Sequence, residues 1–207
     1  MHEVKLGDEF LMSSLFTVAE EEMARLALAR LTGHDLHVVV AGLGLGYTAR
    51  AVLDDDRVAD VVVIDALEPV ISWHQRALVP LGPALTADRR CRLVHGDFFA
   101  MALGDGFTPG SDDLLVDAVV VDIDHSPQHL LAAASSPFYG LEGTETLAGR
   151  LRPGGAYALW SNDPPDPAYL DILRSVFIDV AAQIVEFPNP LQDGISANTV
   201  YLATRPG

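Results

Sequence analysis

The stretch His37-Val38-Val39-Val40-Ala41-Gly42-Leu43-Gly44-Leu45-Gly46-Tyr47 decides the fold. After His37 it runs apolar and β-branched with no polar alternation, the pattern of a parallel strand buried on both faces. Three glycines follow at once and lead into an amphipathic segment over 47–54. Glycine there allows a sharp strand-to-helix turn and lets a ligand approach the main chain without a Cβ in the way. Working outward, the same strand type recurs at 60–65, 91–95, 117–122 and 155–160, and more weakly at 181–186. Helices are expected over 17–31, 47–54, 67–78, 139–151 and 166–178, the first opened by Thr17 and Glu20 at capping-box spacing. Regular alternation of this kind predicts an α/β fold: a doubly wound, mostly parallel seven-stranded sheet in a three-layer sandwich. The last apolar segment, 197–203, follows 181–186 across a loop with no room for a helix, so the final strand is expected to be antiparallel.

The 207 residues fit one domain, 1–207, with a short N-terminal extension over 1–16. Within 1–16, Leu6, Phe10, Leu11, Met12, Leu15 and Phe16 read as apolar side chains in need of cover, and a homodimer is expected from them. Hydrophobic residues make up 49% of the chain, yet no apolar run reaches the length of about 18 needed to span a bilayer. Thirteen Lys and Arg against 29 Asp and Glu leave a net charge of −16. Such a field repels phosphate backbones and anionic membranes and attracts cationic small molecules, so nucleic acid and membrane are not expected as partners. Cys91 is the single cysteine, and the opening Met1-His2-Glu3-Val4-Lys5 has no secretion-signal pattern, so a cytoplasmic location is expected. The stretch 104–114, rich in Gly, Pro, Ser and Asp, reads as a mobile surface loop.

Asp65 ends the second strand 23 residues after Gly42, at the distance that places a carboxylate beside the glycine loop to accept hydrogen bonds from a ribose diol. Tyr47 occupies the sixth position of the loop, where the nicotinamide fingerprint needs glycine. The G-x-G-x-G pattern with Asp65 resembles class I S-adenosylmethionine-dependent methyltransferases and the related aminopropyltransferases. His95-Gly96-Asp97-Phe98 follows the third strand, where an Asp in those families contacts the adenine amino group. The resemblance implies that Gly42, Gly44, Gly46, Asp65 and Asp97 bind S-adenosylmethionine or its decarboxylated form. The alternative is that the glycines serve only packing and Asp97 only caps a helix.

Asp8-Glu9-Phe10, Glu20 to Ala24, the glycine loop, Asp65 to Trp73 and Phe138-Tyr139 to Gly155, including Leu151-Arg152-Pro153-Gly154-Gly155, are similar to spermidine synthase over nearly the whole chain. The chain also resembles actinobacterial spermidine-synthase-like proteins carrying GLGLGYTAR, DIDHSP and LWSNDPPD. Spermidine synthases have an N-terminal β-rich domain that helps close the polyamine pocket, and seven residues precede Asp8 here. Their Asp-Ser-Ser-Asp-Pro motif corresponds to Asp122-Ile123-Asp124-His125-Ser126-Pro127, which puts His125 at the position of the amine-deprotonating Asp. A tyrosine and a glutamate shortly after DEF are replaced by Met12 and Ser14.

In an open α/β sheet a ligand sits beyond the carboxyl ends of the strands, so Asp122, Asp124, His125, Asn162 and Asp163 are expected to share one crevice. An amine nucleophile must lose a proton and be held in line with the carbon it attacks, work suited to Asp124 or His125, with the stretch from Asp122 to His125 facing the acceptor as the catalytic segment. The alternative for His125 is a structural role within its own loop. Trp160, Asn162 and Asp163 are expected in the acceptor pocket, Trp160 serving either core packing or ligand stacking. Catechol-type methyltransferases hold Mg²⁺ with an Asp-His pair and an Asp-Asn pair. Here Asn162-Asp163 inverts the second pair and the following lysine is missing, so no metal is expected, although Asp124, Asn162 and Asp163 are the residues that would hold one. Asn162-Asp163-Pro164-Pro165 follows the fifth strand rather than the fourth and reads as a rigid turn into helix 166–178.

These readings predict a transferase that moves an aminopropyl or methyl group from a sulfonium donor to a small, cationic amine. Two alternatives stand beside it: a methyltransferase acting on an amine or hydroxyl, and a nucleoside-binding regulatory protein without catalysis.

Overall fold

A computed structural model describes residues 1–107 and 115–207. The chain opens with a hairpin of β1 (Glu3–Leu6) and β2 (Glu9–Ser13), then α1 (Val18–Ala29). The alternating part follows as β3 (Leu36–Ala41), α2 (Tyr47–Leu53), β4 (Val58–Asp65), α3 (Glu68–Gln75), α4 (Gly82–Ala87), β5 (Cys91–His95), α5 (Phe98–Leu103), β6 (Val116–Val121), a 3₁₀ turn (Ala133–Tyr139), α6 (Leu141–Arg150), β7 (Leu151–Ser161), α7 (Pro167–Val176), β8 (Ile178–Asn189) and β9 (Gly194–Thr204). The seven main strands lie in the order β5-β4-β3-β6-β7-β9-β8, with β9 antiparallel to both of its neighbours and the other pairs parallel. The expected doubly wound α/β sheet with a reversed last strand is therefore present, and β9 is inserted between β7 and β8.

The period-2 pleat sorts each strand onto two cores. Val38 and Val40, Val61 and Val63, Ala118 and Val120, and Ala156 and Ala158 pack under α1, α2, α3 and α4. Val39 and Ala41, Val62 and Ile64, Val119 and Val121, and Tyr157 and Leu159 pack under α5, α6 and α7. Both faces bury apolar side chains, which is why these strands read as continuous hydrophobic runs. Small side chains on the first face, Ala118, Ala156 and Ala158, share that core with Ala19, Ala24 and Ala27 of α1. The order of strands reverses between β3 and β6, so the crevice at their carboxyl ends is where this architecture accepts a ligand.

Three local readings are corrected. Thr17 makes no side-chain cap on α1; its hydroxyl donates to Glu21 Oε1 at 3.1 Å, and Glu20 turns inward. The helix expected over 67–78 ends early, at Gln75, with Ala77 at a positive φ of 55° just beyond it, and a separate helix, α4, follows at Gly82–Ala87. The final hairpin is longer than its apolar centres, so β8 and β9 reach residues 189 and 194 and the expected loop over 187–196 shrinks to a tight turn. The extension over 1–16 is a folded hairpin whose Val4 is buried against Leu45 and Val79, although Leu6, Phe10 and Leu15 stay 46%, 46% and 40% exposed. Residues 108–114 of the surface loop expected over 104–114 lie outside the described residues, and Phe107 beside them is buried with its ring stacked on Phe98 at 5.6 Å.

Among the described residues no helix is long and apolar enough to cross a membrane.

Candidate functional site

The glycine loop leaves β3 at the point where β6 ends. Gly42 has φ +92°, and a Cβ there would overlap the Asp122 carbonyl oxygen, so the close approach of the two strand ends requires glycine. Gly44 faces the N-terminal hairpin: a Cβ would run into Met12 Sδ, which itself accepts a bond from Leu45 N at 3.1 Å. Gly46 stands at the N-terminus of α2, turned toward His74 and Leu85. His74 is fully buried and its Nε2 lies 3.0 Å from Gly44 O. Burial lowers the His74 pKa, so the neutral ring donates from Nε2 to the carbonyl and its Nδ1 is left without a partner. Asp65 clasps the loop from β4, accepting from Leu43 N at 2.9 Å and Leu67 N at 2.7 Å. Asp97 caps α5, and both of its bonds, from Phe99 N and Ala100 N, fall on Oδ1.

Two adjoining cavities open here. The larger, about 510 Å³, is lined by Gly42, Gly44, Asp65, Asp97 and Asp122 with Leu43, Ile64, Phe98 and Phe99 among its apolar walls. A volume of this size lies in the range of small-molecule sites. The second, about 360 Å³, lies between the N-terminal hairpin, Phe16 of the segment before α1, and the β8–β9 hairpin, and includes Asn162, Phe187, Asn189, Ser196 and Asn198. Leu11, Met12, Glu20, His125 and Trp160 line both, so the junction between the cavities carries two ionisable groups and one indole. The indole Nε1–H of Trp160 is buried without a hydrogen-bond partner.

Of the expected site residues, Gly42, Gly44, Asp65, Asp97, Asp122, Asp124, His125 and Trp160 meet at the larger cavity, and Asn162 lines the smaller. Gly46 and Asp163 line neither. Asp122 accepts from the Thr48 hydroxyl at 2.7 Å; burial pushes its pKa up to about 6, with the Thr48 bond opposing. Asp124, 1% exposed, accepts from Leu131 N at 2.7 Å, Ser135 Oγ at 3.2 Å and Tyr139 OH at 2.7 Å. Those bonds tie the 131–139 segment to the end of β6. The His125 ring lies 3.2 Å from Glu9 Oε1, joining the hairpin to the sheet, and its carbonyl accepts from Asn162 N at 2.7 Å.

Asp163 faces the 126–129 loop, where it accepts from Ser126 Oγ at 2.6 Å and lies 2.7 Å from His129 Nδ1. The Ser126 bond and then His129 hold its carboxyl below the usual range. Asp124 and Asp163 are thus bonded to different loops. Among the described residues no group of three or more His, Cys, Asp or Glu side chains is arranged to hold a metal ion.

The residue that sequence reasoning missed is Glu20. It is 8% exposed, lines both cavities, and its pKa is pushed up to about 8 by burial first and by the Asp122 charge second. A signal existed: Glu20 stands three, four and seven residues before Met23, Ala24 and Ala27 on the buried stripe of α1, a place where an unpaired carboxylate is costly. No sequence signal marked the β8–β9 turn as a pocket wall.

No family profile matches the chain, and no curated protein matches it in sequence. Its architecture is nonetheless shared with solved structures. Spermidine synthase from Thermotoga maritima superposes with TM-score 0.72 at 15% identity, over 94% of this chain and 62% of that one. A spermidine synthase in complex with the transition-state analogue AdoDATO gives 0.70 at 15% identity, over 91% of this chain and 60% of that one. Precorrin 8w decarboxylase of Methanobacterium thermoautotrophicum gives 0.55 at 17% identity, over 90% of each chain. The chain spans 62% and 60% of the two spermidine synthases it matches, and at these identities the likeness is one of fold.

Proposed function

We propose that this chain is a transferase that binds a sulfonium nucleoside in the larger cavity and passes its aminopropyl group to a small amine in the smaller one. The observation that carries this reading is the charge of the donor wall. Asp65, Asp97, Asp122 and Asp124 line the larger cavity beside Glu20, which holds its proton up to about pH 8, and no Lys or Arg does so among the described residues. Decarboxylated S-adenosylmethionine presents a sulfonium and an ammonium to that wall, whereas the intact donor adds a carboxylate that would need a basic partner. Arg50, the nearest basic residue in sequence to the glycine loop, pairs with Asp54 along the outside of α2. The analogue-bound spermidine synthase of like fold supports a donor of this class.

In the proposed step the amine nitrogen attacks the carbon bonded to sulfur. That C–S bond breaks and its electron pair stays on sulfur, leaving methylthioadenosine. The amine arrives protonated and must give up a proton; Asp122, at about 6, is the carboxylate that stands ionised near neutral pH and can take it, while Glu20 beside it keeps its own proton up to about 8. Asp124, spent on Leu131, Ser135 and Tyr139, positions the adjoining segment and leaves proton transfer to Asp122.

Calorimetric titration with decarboxylated S-adenosylmethionine, S-adenosylmethionine and methylthioadenosine, followed by product analysis with amines, tests the reading. Tighter binding of the decarboxylated donor with an aminopropylated product is expected. Preference for the intact donor would instead make the chain a methyltransferase, and binding without turnover a nucleoside-responsive regulator.

A further inference from the structure

The smaller cavity has two ends of different chemistry. Its near end is the junction with the donor cavity and carries Glu20 and His125, which are the only ionisable side chains on its wall among the described residues. Its far end is built by the β8–β9 hairpin and β7 from Asn162, Asn189, Ser196 and Asn198, all uncharged. An ammonium placed at that far end meets no carboxylate to replace its lost hydration. A carboxylate there meets no Lys or Arg.

The polar groups at the far end are partly committed to one another. Asn189 donates from Nδ2 to Ser196 Oγ at 2.8 Å and accepts from Leu191 N at 3.0 Å. Asn198 donates from Nδ2 to Asn162 Oδ1 at 3.2 Å. What stays open is one carbonyl, Asn198 Oδ1, beside the donors Asn162 Nδ2 and the Ser196 hydroxyl proton. A hydroxyl or amide can both give and take hydrogen bonds and so satisfies this set; an ammonium can only donate, and would face the amide protons of Asn162. Between the ends, the rings of Phe16 and Phe187, with centroids 5.8 Å apart, offer an apolar wall to an aliphatic or aromatic body.

We propose that the acceptor is an amine whose single cationic end sits at the junction, facing the acidic donor cavity, and whose uncharged hydroxyl or amide tail is bound at Asn162, Ser196 and Asn198, and that linear diamines are discriminated against. The tail assignment concerns the far end alone; the amine's role as nucleophile rests on the transfer reading above. The balanced step is unchanged: the amine nitrogen forms a new N–C bond, the C–S bond breaks toward sulfur, and the amine proton goes to a carboxylate.

The test is calorimetry of the full chain with 4-amino-1-butanol, 1,4-diaminobutane and n-butylamine, each with and without methylthioadenosine. The amino alcohol should bind about tenfold more tightly than either of the others. Asn198→Asp, which replaces the Nδ2 donor to Asn162 Oδ1 by a carboxylate and so requires the Asn162 amide to turn its Nδ2 toward it, should bring the diamine level with or ahead of the amino alcohol. Asn189→Asp, checked by its melting temperature, serves as a second variant that places a carboxylate at the same end. A wild-type protein that binds the diamine as tightly as the amino alcohol, or that binds no amine under either condition, overturns the proposal. So does retention of the wild-type ranking by both folded aspartate variants. Failure of methylthioadenosine to bind while the amine ranking holds would remove the transfer reading and leave the tail assignment standing.

Discussion

Replacing Glu20 by Gln should stabilise the protein in alkaline solution and leave it nearly unchanged in acid. Glu20 is 8% exposed and shares its surroundings with Asp122, and its pKa rises from the ordinary 4.5 to about 8. The folded chain therefore holds this proton more tightly than the unfolded chain, and stability falls as pH rises from 4.5 through 8. With 1.36 kcal/mol per pKa unit, the loss accumulated by Glu20 between about pH 5 and about pH 9 comes to about 4 kcal/mol. Gln keeps the shape and hydrogen-bonding capacity of the protonated acid and carries no charge to desolvate. Urea denaturation of both proteins across that interval should give midpoints that agree near pH 5 and separate steadily above pH 6, Gln being the more stable. Asp122 titrates in both proteins, its own decline running from about pH 4 to about pH 7, so it does not imitate a separation that continues above pH 7. Parallel stability curves for the two proteins up to pH 9 would refute the assignment of a buried, protonated Glu20.

Asp65→Ala should weaken methylthioadenosine binding by about 10–100-fold in calorimetry, since it removes the proposed ribose acceptor together with the clasp on Leu43 N and Leu67 N; unchanged affinity would remove Asp65 from the proposed site. Asp124→Asn should cost about 2–4 kcal/mol in chemical denaturation, because an amide nitrogen turned toward Leu131, Ser135 or Tyr139 opposes a donor with a donor. Gly42→Ala should destabilise by about 2–4 kcal/mol and abolish nucleoside binding together, as φ +92° and the Asp122 carbonyl both exclude a side chain; a variant of native melting temperature would show that the β3–β6 approach is loose.

Periodicity carried the architecture in this chain. Each main strand had a continuous apolar run, because both faces of a parallel sheet are covered, and the loop between 181–186 and 197–203 was too short for a crossover helix. The glycines, Asp65 and Asp97 could be ordered along the chain for the same reason: in a doubly wound sheet, position after a strand fixes position in space. Strand ends were less legible, since β8 and β9 extend through exposed residues whose pairing comes from their partner and not from their own composition.

Tertiary structure decided what composition and spacing left open. Asp122 and Asp124 are two residues apart and equally acidic in sequence, yet one lies beside Glu20 with a raised pKa and the other is consumed by Leu131, Ser135 and Tyr139. Glu20 stands 102 positions from Asp122 (122 − 20), and the N-terminal hairpin that walls both cavities lies over a loop more than thirty residues away, as Leu45 N bonds to Met12 Sδ with 33 positions between them. Sequence records which groups are available at each strand end. The field that each group feels, and hence whether it holds a proton, a loop or a ligand, depends on burial and on neighbours brought from elsewhere in the chain, which only the packed fold supplies.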